Sequence, residues 1–133
     1  MKILDLFAGA GGMALGLHDA GHKIVHSVDN WKAAYDVLTQ NFDHPASLLD
    51  LSNKANWEQM LSVNFDVIAG GPPCQDFSIA GGRKTDGERA NLTLSFAGMV
   101  SMAKPKLFVM ENVYSIVGTD VLAKAKSVFE KAG

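Results

Sequence analysis

The chain has 133 residues, of which 47% are hydrophobic and 20% charged, a composition that fits one globular domain and excludes a disordered chain. Its formal net charge of −2 argues against a complete DNA-binding surface in this chain alone, because such surfaces are usually basic. The single cysteine excludes an internal disulfide, and no apolar run reaches roughly 18 residues, so we expect a protein of the reducing cytoplasm with no membrane span.

The first half of the chain alternates short apolar runs with segments of helical spacing. In the second helical segment, the spacing places four apolar residues on one face, namely Trp31, Ala34, Val37 and Leu38. A third helix should be capped by Ser52 or Asn53. The predicted elements are strands over residues 2–7, 24–28 and 46–49, and helices over 13–20, 31–41 and from the cap to about 61.

The second half of the chain continues the same alternation. Residues 92–103 are apolar nearly all round, which predicts a buried helix, and Thr119 or Asp120 should cap the last helix. A polar loop spans about 79–90, and the other elements are strands over 65–69 and 106–110 and a final helix that ends near Gly133. Because strands alternate with helices five times, we expect an α/β fold, a doubly wound parallel sheet of about five strands with helices on both faces.

Residues with useful chemistry follow every predicted strand. A glycine-rich turn follows the first strand, and Asp29, Asp50, Cys74 and Glu111 follow the other four. In an open parallel sheet, ligands bind beyond the carboxyl ends of the strands, near the point where the strand order reverses. With the strand order 3-2-1-4-5, we expect a crevice between strands one and four, with the turn and both aspartates on one side and the cysteine and glutamate on the other.

The turn after the first strand satisfies a dinucleotide-binding pattern. Residues 9–14 read G-A-G-G-M-A, which matches G-x-G-x-x-G/A, and Asp29 lies at the distance expected for an acid that holds ribose hydroxyls. The glycines let a ligand approach the backbone, and the start of the following helix favours a negative group, a carboxylate as well as a pyrophosphate. The pattern alone is therefore compatible with a nicotinamide-dependent dehydrogenase and with a tight turn that binds nothing.

The only cysteine is placed as a nucleophile would be. Cys74 follows a buried strand, directly after Pro72 and Pro73, whose rings fix the backbone torsion φ. An unpaired cysteine is commonly no more than a small buried apolar residue. The rigid turn at a ligand-binding edge favours a reactive thiol instead.

Three motifs resemble those of the cytosine-5 DNA methyltransferases: D-L-F-A-G-A-G-G over residues 5–12, P-P-C-Q over 72–75 and E-N-V over 111–113. They occur in the order and at the approximate spacing of that family, and the likeness covers essentially the whole chain. The resemblance implies a Rossmann-like fold and S-adenosylmethionine as cofactor in place of a nicotinamide. It further implies double-stranded DNA as the partner, within a bacterial restriction-modification system. We expect no metal site, because the four histidines show no metal-ligand spacing.

The resemblance also implies roles for individual residues. Cys74 would add to C6 of a flipped cytosine, and Glu111 would be the partner of the same ring while C5 is methylated. Asp29 would hold the ribose hydroxyls of the cofactor, and Asp50 its adenine amino group. The implied cofactor-binding set is Phe7, Ala8, Gly9, Gly11, Gly12, Asp29, Asn30, Asp50, Leu51, Pro72 and Leu92. The implied substrate-binding set is Pro73, Gln75, Ser78, Arg83, Asn112 and Val113, with Arg83 in a loop that closes over DNA.

The chain departs from the family pattern in places. Asn30 stands where the family often has an aromatic residue that stacks on adenine, and Trp31 follows one place later. Asp76, two positions after the cysteine, stands where the family usually has a small residue or proline. The family's later arginine motif, target-recognition region and final helix are absent. We therefore interpret residues 1–133 as a partial catalytic domain that depends on a C-terminal part or a second chain and is inactive alone. The alternatives are a noncatalytic cofactor-binding subunit of a split enzyme and the family branch that methylates transfer RNA.

Overall fold

In the computed structural model, which describes residues 1–73 and 91–133, the chain forms a five-stranded parallel sheet with helices on both of its faces. The alternation of strands and helices follows the predicted sequence of elements. The strands and helices are β1 (Lys2–Leu6), α1 (Gly12–Asp19), β2 (Lys23–Asp29), α2 (Lys32–Asn41), β3 (Ala46–Leu48), α3 (Trp57–Leu61), β4 (Val67–Gly70), α4 (Asn91–Ala103), β5 (Leu107–Met110) and α5 (Asp120–Ala132).

The strand order is β3-β2-β1-β4-β5, which confirms the prediction from the sequence. Each neighbouring pair is parallel, and the central strand β1 pairs with β2 on one side and β4 on the other. The order reverses between β1 and β4, whose last residues, Leu6 and Gly70, lie opposite each other. The fold therefore provides a crevice at the carboxyl edge of the sheet, where open α/β sheets bind ligands.

Two apolar clusters, one on each face of the sheet, hold the helices against it. Successive strand residues point to opposite faces, so Ile3 and Leu4 of β1 belong to different clusters. On one face, Leu4 packs with Trp57 of α3 and Phe96 of α4. On the other face, Ile3 packs with Ala14 of α1. Removing these apolar side chains from water is the main favourable contribution to folding.

Helix α2 buries a narrower face than its spacing predicts. Ala34 and Leu38 are buried, whereas 45% of Val37 and 67% of Trp31 is exposed. Trp31 precedes the helix with an extended backbone, because Asp29 Oδ1 accepts its backbone N–H at 2.7 Å. Only part of the predicted apolar face is therefore buried, and Trp31 lies before the helix with its indole at the surface.

Local hydrogen bonds decide between the alternative helix caps. Thr119 Oγ1 accepts the backbone N–H of Leu122 at 3.3 Å, so Thr119 caps α5. Asn53 Oδ1 accepts the backbone N–H of Ala55 at 3.0 Å and begins the short 3₁₀ turn that leads into α3.

In the part of the chain that the structure describes, no helix is both long and apolar enough to cross a membrane. The polar loop predicted over 79–90 lies outside the described residues.

Candidate functional site at the carboxyl edge of the sheet

A cavity of about 280 Å³ lies at the carboxyl edge of the sheet, where the strand order reverses. It is bordered by residues at the ends of β1, β2, β3 and β4 and by the start of α4. The lining residues are Phe7, Asp29, Asn30, Trp31, Leu49, Leu51, Gly71, Pro73 and Leu92. Six of the predicted site residues are thereby brought together, namely Phe7, Asp29, Asn30, Leu51, Pro73 and Leu92.

The glycine-rich turn is held close to the end of β2 and leads directly into α1. Its Ala8 N–H donates to the carbonyl of Val28 at 3.0 Å. Gly11, with φ of 95°, has no room for a side chain, because a Cβ there would lie 2.5 Å from Cε2 of Phe42. Helix α1 begins at Gly12, its cap residue Gly11 has no side chain to bond the first turn, and that turn contains no acidic residue. Its first N–H groups can therefore receive a negative group of a ligand.

Phe7 is one of two non-glycine residues with positive φ in the described part of the chain. Its φ of 58° lies in the left-handed region, which costs a residue with a bulky side chain free energy of about 1–3 kcal/mol. The side chain lines the cavity, where such strained residues are commonly found at functional sites. The turn after β1 is thus bent to present Phe7 to the crevice.

The carboxylate of Asp29 connects the turn after β1 to the start of α2. Its Oδ2 accepts the backbone N–H of Gly9 at 2.8 Å, and its Oδ1 accepts that of Trp31 at 2.7 Å. Trp31 lines the cavity beside Asn30, with 67% of its area exposed. An acid and an exposed aromatic ring therefore lie together, which is a combination that suits a ribose and a base.

The residues after β3 divide between the cavity and the surface. Leu51 is 2% exposed and lines the cavity, and its carbonyl accepts the indole N–H of Trp57 at 2.9 Å. Asp50 is exposed and is not among the lining residues. Its Oδ1 accepts the backbone N–H of Ser52 at 2.8 Å, so the carboxylate also shapes the turn after β3.

The ends of β4 and β5 bring Glu111 against two consecutive glycines. A Cβ at Gly70 would lie 2.2 Å from the carbonyl oxygen of Leu6, so only glycine fits where β4 passes β1. Gly70 O accepts the backbone N–H of Glu111 at 3.0 Å. A Cβ at Gly71 would lie 3.1 Å from Oε2 of Glu111, so the exposed carboxylate lies over the backbone of Gly71. Since Gly71 also lines the cavity, Glu111 lies beside the crevice.

Asn112 makes two hydrogen bonds that connect the same two strand ends. Its Nδ2 donates to the carbonyl oxygen of Pro72 at 2.9 Å, and its Oδ1 accepts the backbone N–H of Val113 at 2.9 Å. Pro72 is buried, whereas 56% of Val113 is exposed. The segment that leads to the cysteine is therefore tied to the segment that carries Glu111.

Four predicted site residues, Cys74, Gln75, Ser78 and Arg83, lie outside the described residues. Within the described ranges, no group of three or more histidine, aspartate or glutamate side chains is arranged to hold a metal ion.

Asp5 is a buried acid. It belongs to the motif over residues 5–12, but the sequence alone assigns it no role. It is 0% exposed, its Oδ2 accepts the hydroxyl of Ser27 at 3.5 Å, and its Oδ1 has no hydrogen-bond partner within the described residues. Burial, reinforced by the charge of Asp29, raises the pKa of the Asp5 carboxyl to about 7. Three further residues that the site assignment omits, Trp31, Leu49 and Gly71, line the cavity. The sequence signal that could have identified Asp5 as a buried acid is its position inside the apolar run over residues 2–7.

Comparison with known proteins gives one consistent family. The family model of the C-5 cytosine-specific DNA methylases matches residues 1–133. The type II methyltransferase M.HindV of Haemophilus influenzae is 46% identical over 123 residues, which are 92% of this chain and 40% of that protein. M.HgiGI of Herpetosiphon aurantiacus, also a type II methyltransferase, is 48% identical over 114 residues, which are 85% of this chain and 90% of that protein. The chain thus spans only about two fifths of M.HindV but most of M.HgiGI.

Solved structures agree with this comparison. A DNA modification methyltransferase encoded within a prophage of E. coli superposes with a TM-score of 0.82 at 29% identity, over 98% of this chain and 38% of that one. The Dnmt2 methyltransferase of S. pombe superposes with a TM-score of 0.79 at 20% identity, over 98% of this chain and 40% of that one. The second likeness shows the fold alone, which is the Rossmann-like fold that the sequence predicts.

Proposed function

Because the chain belongs to the family of C-5 cytosine-specific DNA methylases, we propose that it forms the cofactor-binding and nucleophile-bearing part of an enzyme that methylates C5 of cytosine in DNA. The relatives are type II methyltransferases, which supports a role in bacterial restriction-modification, on DNA in the cytoplasm. The observation that carries the proposal is the Glu111 carboxylate, which lies over Gly71 beside the cavity that Asp29 and Trp31 line.

The groups around the cavity fit S-adenosylmethionine. The uncapped start of α1 at Gly12 suits its carboxylate, and the Asp29 carboxylate suits the two ribose hydroxyls. The exposed indole of Trp31 offers a surface on which adenine can stack, in place of the residue at position 30. We assign Asp50 to the adenine amino group. When bound, the cofactor supplies an electrophilic methyl group.

The remaining members of the cofactor-binding set serve as walls and turns of the site. Their apolar side chains or backbone atoms surround the cavity or shape the glycine-rich turn, and they carry no charge. They are Phe7, Ala8, Gly9, Gly11, Asn30, Leu51 and Leu92. Pro72, the last member of the set, is buried between the lining residues Gly71 and Pro73.

The proposed chemistry uses the thiol of Cys74 to activate the cytosine ring. C5 of cytosine is a weak nucleophile, but addition of the Cys74 thiolate to C6 would make the ring an enamine. C5 would then take the methyl group as the bond from the methyl carbon to the cofactor's sulfonium sulfur breaks. Glu111, sharing a proton with N3, offsets the negative charge that the thiolate brings to the ring. Loss of the C5 proton and expulsion of the thiolate then restore the aromatic ring and the free thiol. Two easier steps thereby replace one difficult step.

The proposed substrate is a base that has left the DNA duplex, because C6 is not accessible to a thiol inside the base stack. Extruding a paired base costs about a few kcal/mol, which DNA contacts must supply. We assign these contacts to the residues around the thiol and to Val113, which is exposed beside Glu111. The proposed set is Pro73, Gln75, Ser78, Arg83 and Val113.

We further propose that residues 1–133 act together with additional polypeptide that selects the target sequence. The chain spans 40% of M.HindV and 37% of M.HgiDI, and its net charge is −2. Strand β5 is at the edge of the sheet, and 51% of Leu107 and 44% of Val109 is exposed. An uncovered apolar strand at a sheet edge is a suitable surface for packing additional polypeptide.

A methyl-transfer assay tests the proposal. The natural-length protein is incubated with methyl-labelled S-adenosylmethionine and either bacterial DNA or transfer RNA, and the Cys74→Ser variant is the control. We expect label on C5 of cytosine in DNA, and no transfer by the variant, with cofactor affinity nearly unchanged. Label on transfer RNA and not on DNA would instead assign the protein to the branch of the family that methylates RNA.

Binding without transfer by the natural-length protein would favour the noncatalytic subunit. That alternative is tested by adding the C-terminal part of a relative such as M.HindV. Restored transfer would identify the chain as one half of a split enzyme, and continued inactivity would exclude catalysis through Cys74.

A further inference from the structure

We propose that Asn112 is a positioning residue, which fixes the direction in which the backbone leaves Pro72 towards Cys74. The inference rests on the proposed function of Cys74 as nucleophile, but its geometric basis lies within the described residues. Its central contact is the hydrogen bond from Asn112 Nδ2 to the Pro72 carbonyl oxygen, 2.9 Å long.

In the part of the chain that the structure describes, the side chain of Asn112 supplies the hydrogen bond to the carbonyl of Pro72. Proline has no backbone N–H, so the carbonyl is the only hydrogen-bonding group of Pro72, and the residue is buried. A buried carbonyl without a partner costs about 1–3 kcal/mol. The amide of Asn112, which is partly buried, satisfies this group from the neighbouring strand end.

Fixing one carbonyl has a large effect here because two prolines follow each other. Between the Cα atom of Pro72 and the nitrogen of Cys74, the rotatable torsions are ψ of Pro72 and φ and ψ of Pro73. The ring of Pro73 holds its φ near about −65°, and both peptide bonds are planar. The bond from Asn112 fixes the carbonyl direction and therefore ψ of Pro72. Only ψ of Pro73 then remains free before the cysteine.

The other polar atom of Asn112 orients the side chain itself. Its Oδ1 accepts the N–H of Val113 at 2.9 Å, which holds the amide group in the plane from which Nδ2 reaches Pro72. Next to this contact, Gly70 O accepts the N–H of Glu111 at 3.0 Å. The two strand ends are therefore tied twice, once on each side of the place where the Glu111 carboxylate lies over Gly71.

The position of Asn112 distinguishes it from a substrate-binding residue, the role that the resemblance implies for it. Both polar atoms of its side chain are bonded to backbone groups of the protein itself. We infer that Asn112 acts on the reaction through Pro72, by setting where the thiol lies relative to Glu111. A displacement of about 1 Å at the reacting groups can lower a rate by a factor of about 100.

The first test measures the thiol directly and requires no cofactor or DNA. Because the 133-residue chain has one cysteine, alkylation by iodoacetamide reports Cys74 alone. The pH profile of its rate is compared for the wild type, Asn112→Ala and Asn41→Ala. Asn41 is the matched control, since its Nδ2 also donates to a backbone carbonyl, that of Val37 at 2.7 Å, but on the exposed end of α2. We expect the rate profile to differ from that of the wild type in Asn112→Ala only, because only that variant releases the backbone before the thiol.

The second test uses steady-state kinetics of the natural-length protein. We expect Asn112→Ala to lower kcat by a factor of about 100 while KM for S-adenosylmethionine changes less than about twofold, because the cofactor cavity does not include Asn112. Unfolding midpoints of both variants are measured to separate a loss of folding from a loss of position. Identical alkylation profiles for wild type and Asn112→Ala would overturn the inference. If the wild type transfers no methyl group even when the C-terminal part of a relative is added, the proposed function fails, and the alkylation profiles still decide the role of Asn112.

Discussion

The Oδ2 atom of Asp29, at the end of β2, accepts the backbone N–H of Gly9, in the turn after β1, at 2.8 Å. The same carboxylate accepts the N–H of Trp31 at 2.7 Å. One side chain therefore holds both the turn that precedes α1 and the residue that precedes α2. Any ligand bound against Asp29 meets groups that this carboxylate has already arranged.

Replacing Asp29 should weaken binding of the cofactor. Asp29→Ala removes a carboxylate that would hold the ribose and two hydrogen bonds that shape the cavity, and bonds to charged groups contribute about 1.5–3 kcal/mol each. We expect the affinity for S-adenosylmethionine, measured by calorimetry, to fall by a factor of about 10–100. Asp36→Ala is the control, because Asp36 pairs with Lys32 on the surface of α2. An unaltered affinity in Asp29→Ala would place the ribose elsewhere.

Trp31 should be the residue that stacks on adenine. Its ring is 67% exposed at the cavity, whereas the other tryptophan, Trp57, is 7% exposed in the core. Because base stacking on an aromatic ring contributes about 1–3 kcal/mol, Trp31→Ala should weaken cofactor binding by a factor of about 5–100, and Trp31→Phe by less.

Tryptophan fluorescence tests the same assignment in a different way. S-adenosylmethionine should quench the emission of the wild type, and this quenching should disappear in Trp31→Phe, where only Trp57 emits. Quenching that persists in Trp31→Phe would contradict stacking on Trp31.

The two glycines at the end of β4 should respond differently to alanine. In Gly70→Ala the new methyl group would lie 2.2 Å from the backbone oxygen of Leu6, which cannot move alone, so we expect a loss of stability above about 4 kcal/mol or no folding. In Gly71→Ala the neighbour is the Glu111 carboxylate at 3.1 Å, which can move. The free energy of unfolding should then change by less than about 1 kcal/mol, while methyl transfer falls at least about tenfold.

Urea unfolding together with the methyl-transfer assay checks this contrast. Glu111→Ala is the reference variant, because it removes the carboxylate without crowding the backbone. Full activity in a folded Gly71→Ala protein would mean that the position of Glu111 over Gly71 does not matter to the reaction.

The buried acid Asp5 should make stability depend on pH. Burial raises its pKa from 3.8 to about 7 in the folded state, so between these values the folded protein keeps a proton that the unfolded chain has released. Its contribution to the free energy of unfolding therefore falls as the pH rises from about 4 to about 7, by at most about 1.4 kcal/mol per pH unit, and then stays constant. Asp5→Asn should remove this slope.

The measurement compares urea unfolding of wild type and Asp5→Asn between pH 5 and pH 8. The groups that bear on Asp5 are Asp29 on β2 and His44, whose Nε2 shares a hydrogen bond of 2.8 Å with the Ser27 hydroxyl beside it. Burial lowers the pKa of His44, which destabilises the protein as the pH falls and thus acts in the opposite direction. The difference between the two proteins isolates Asp5, and parallel curves would contradict its raised pKa.

The sequence by itself determined the order of the strands and the edge at which the functional groups lie. Alternating apolar runs and helical spacing are local properties, and a parallel sheet with a reversal of strand order places every strand end at one edge. For this reason Phe7, Asp29 and Leu92 line the same cavity, although they lie far apart in the chain. The family followed from short motifs, which the match over residues 1–133 confirms.

Only the tertiary structure decided which side chains turn towards the cavity and which support it. Spacing placed Trp31 on the apolar face of the second helix, whereas in the structure it precedes α2, donates its backbone N–H to Asp29 and has an exposed indole. The bond between Asn112 and Pro72 joins residues 40 positions apart, and the burial of Asp5 depends on neighbours from other strands. Such contacts depend on the packing of distant segments, and no local pattern in the sequence specifies them.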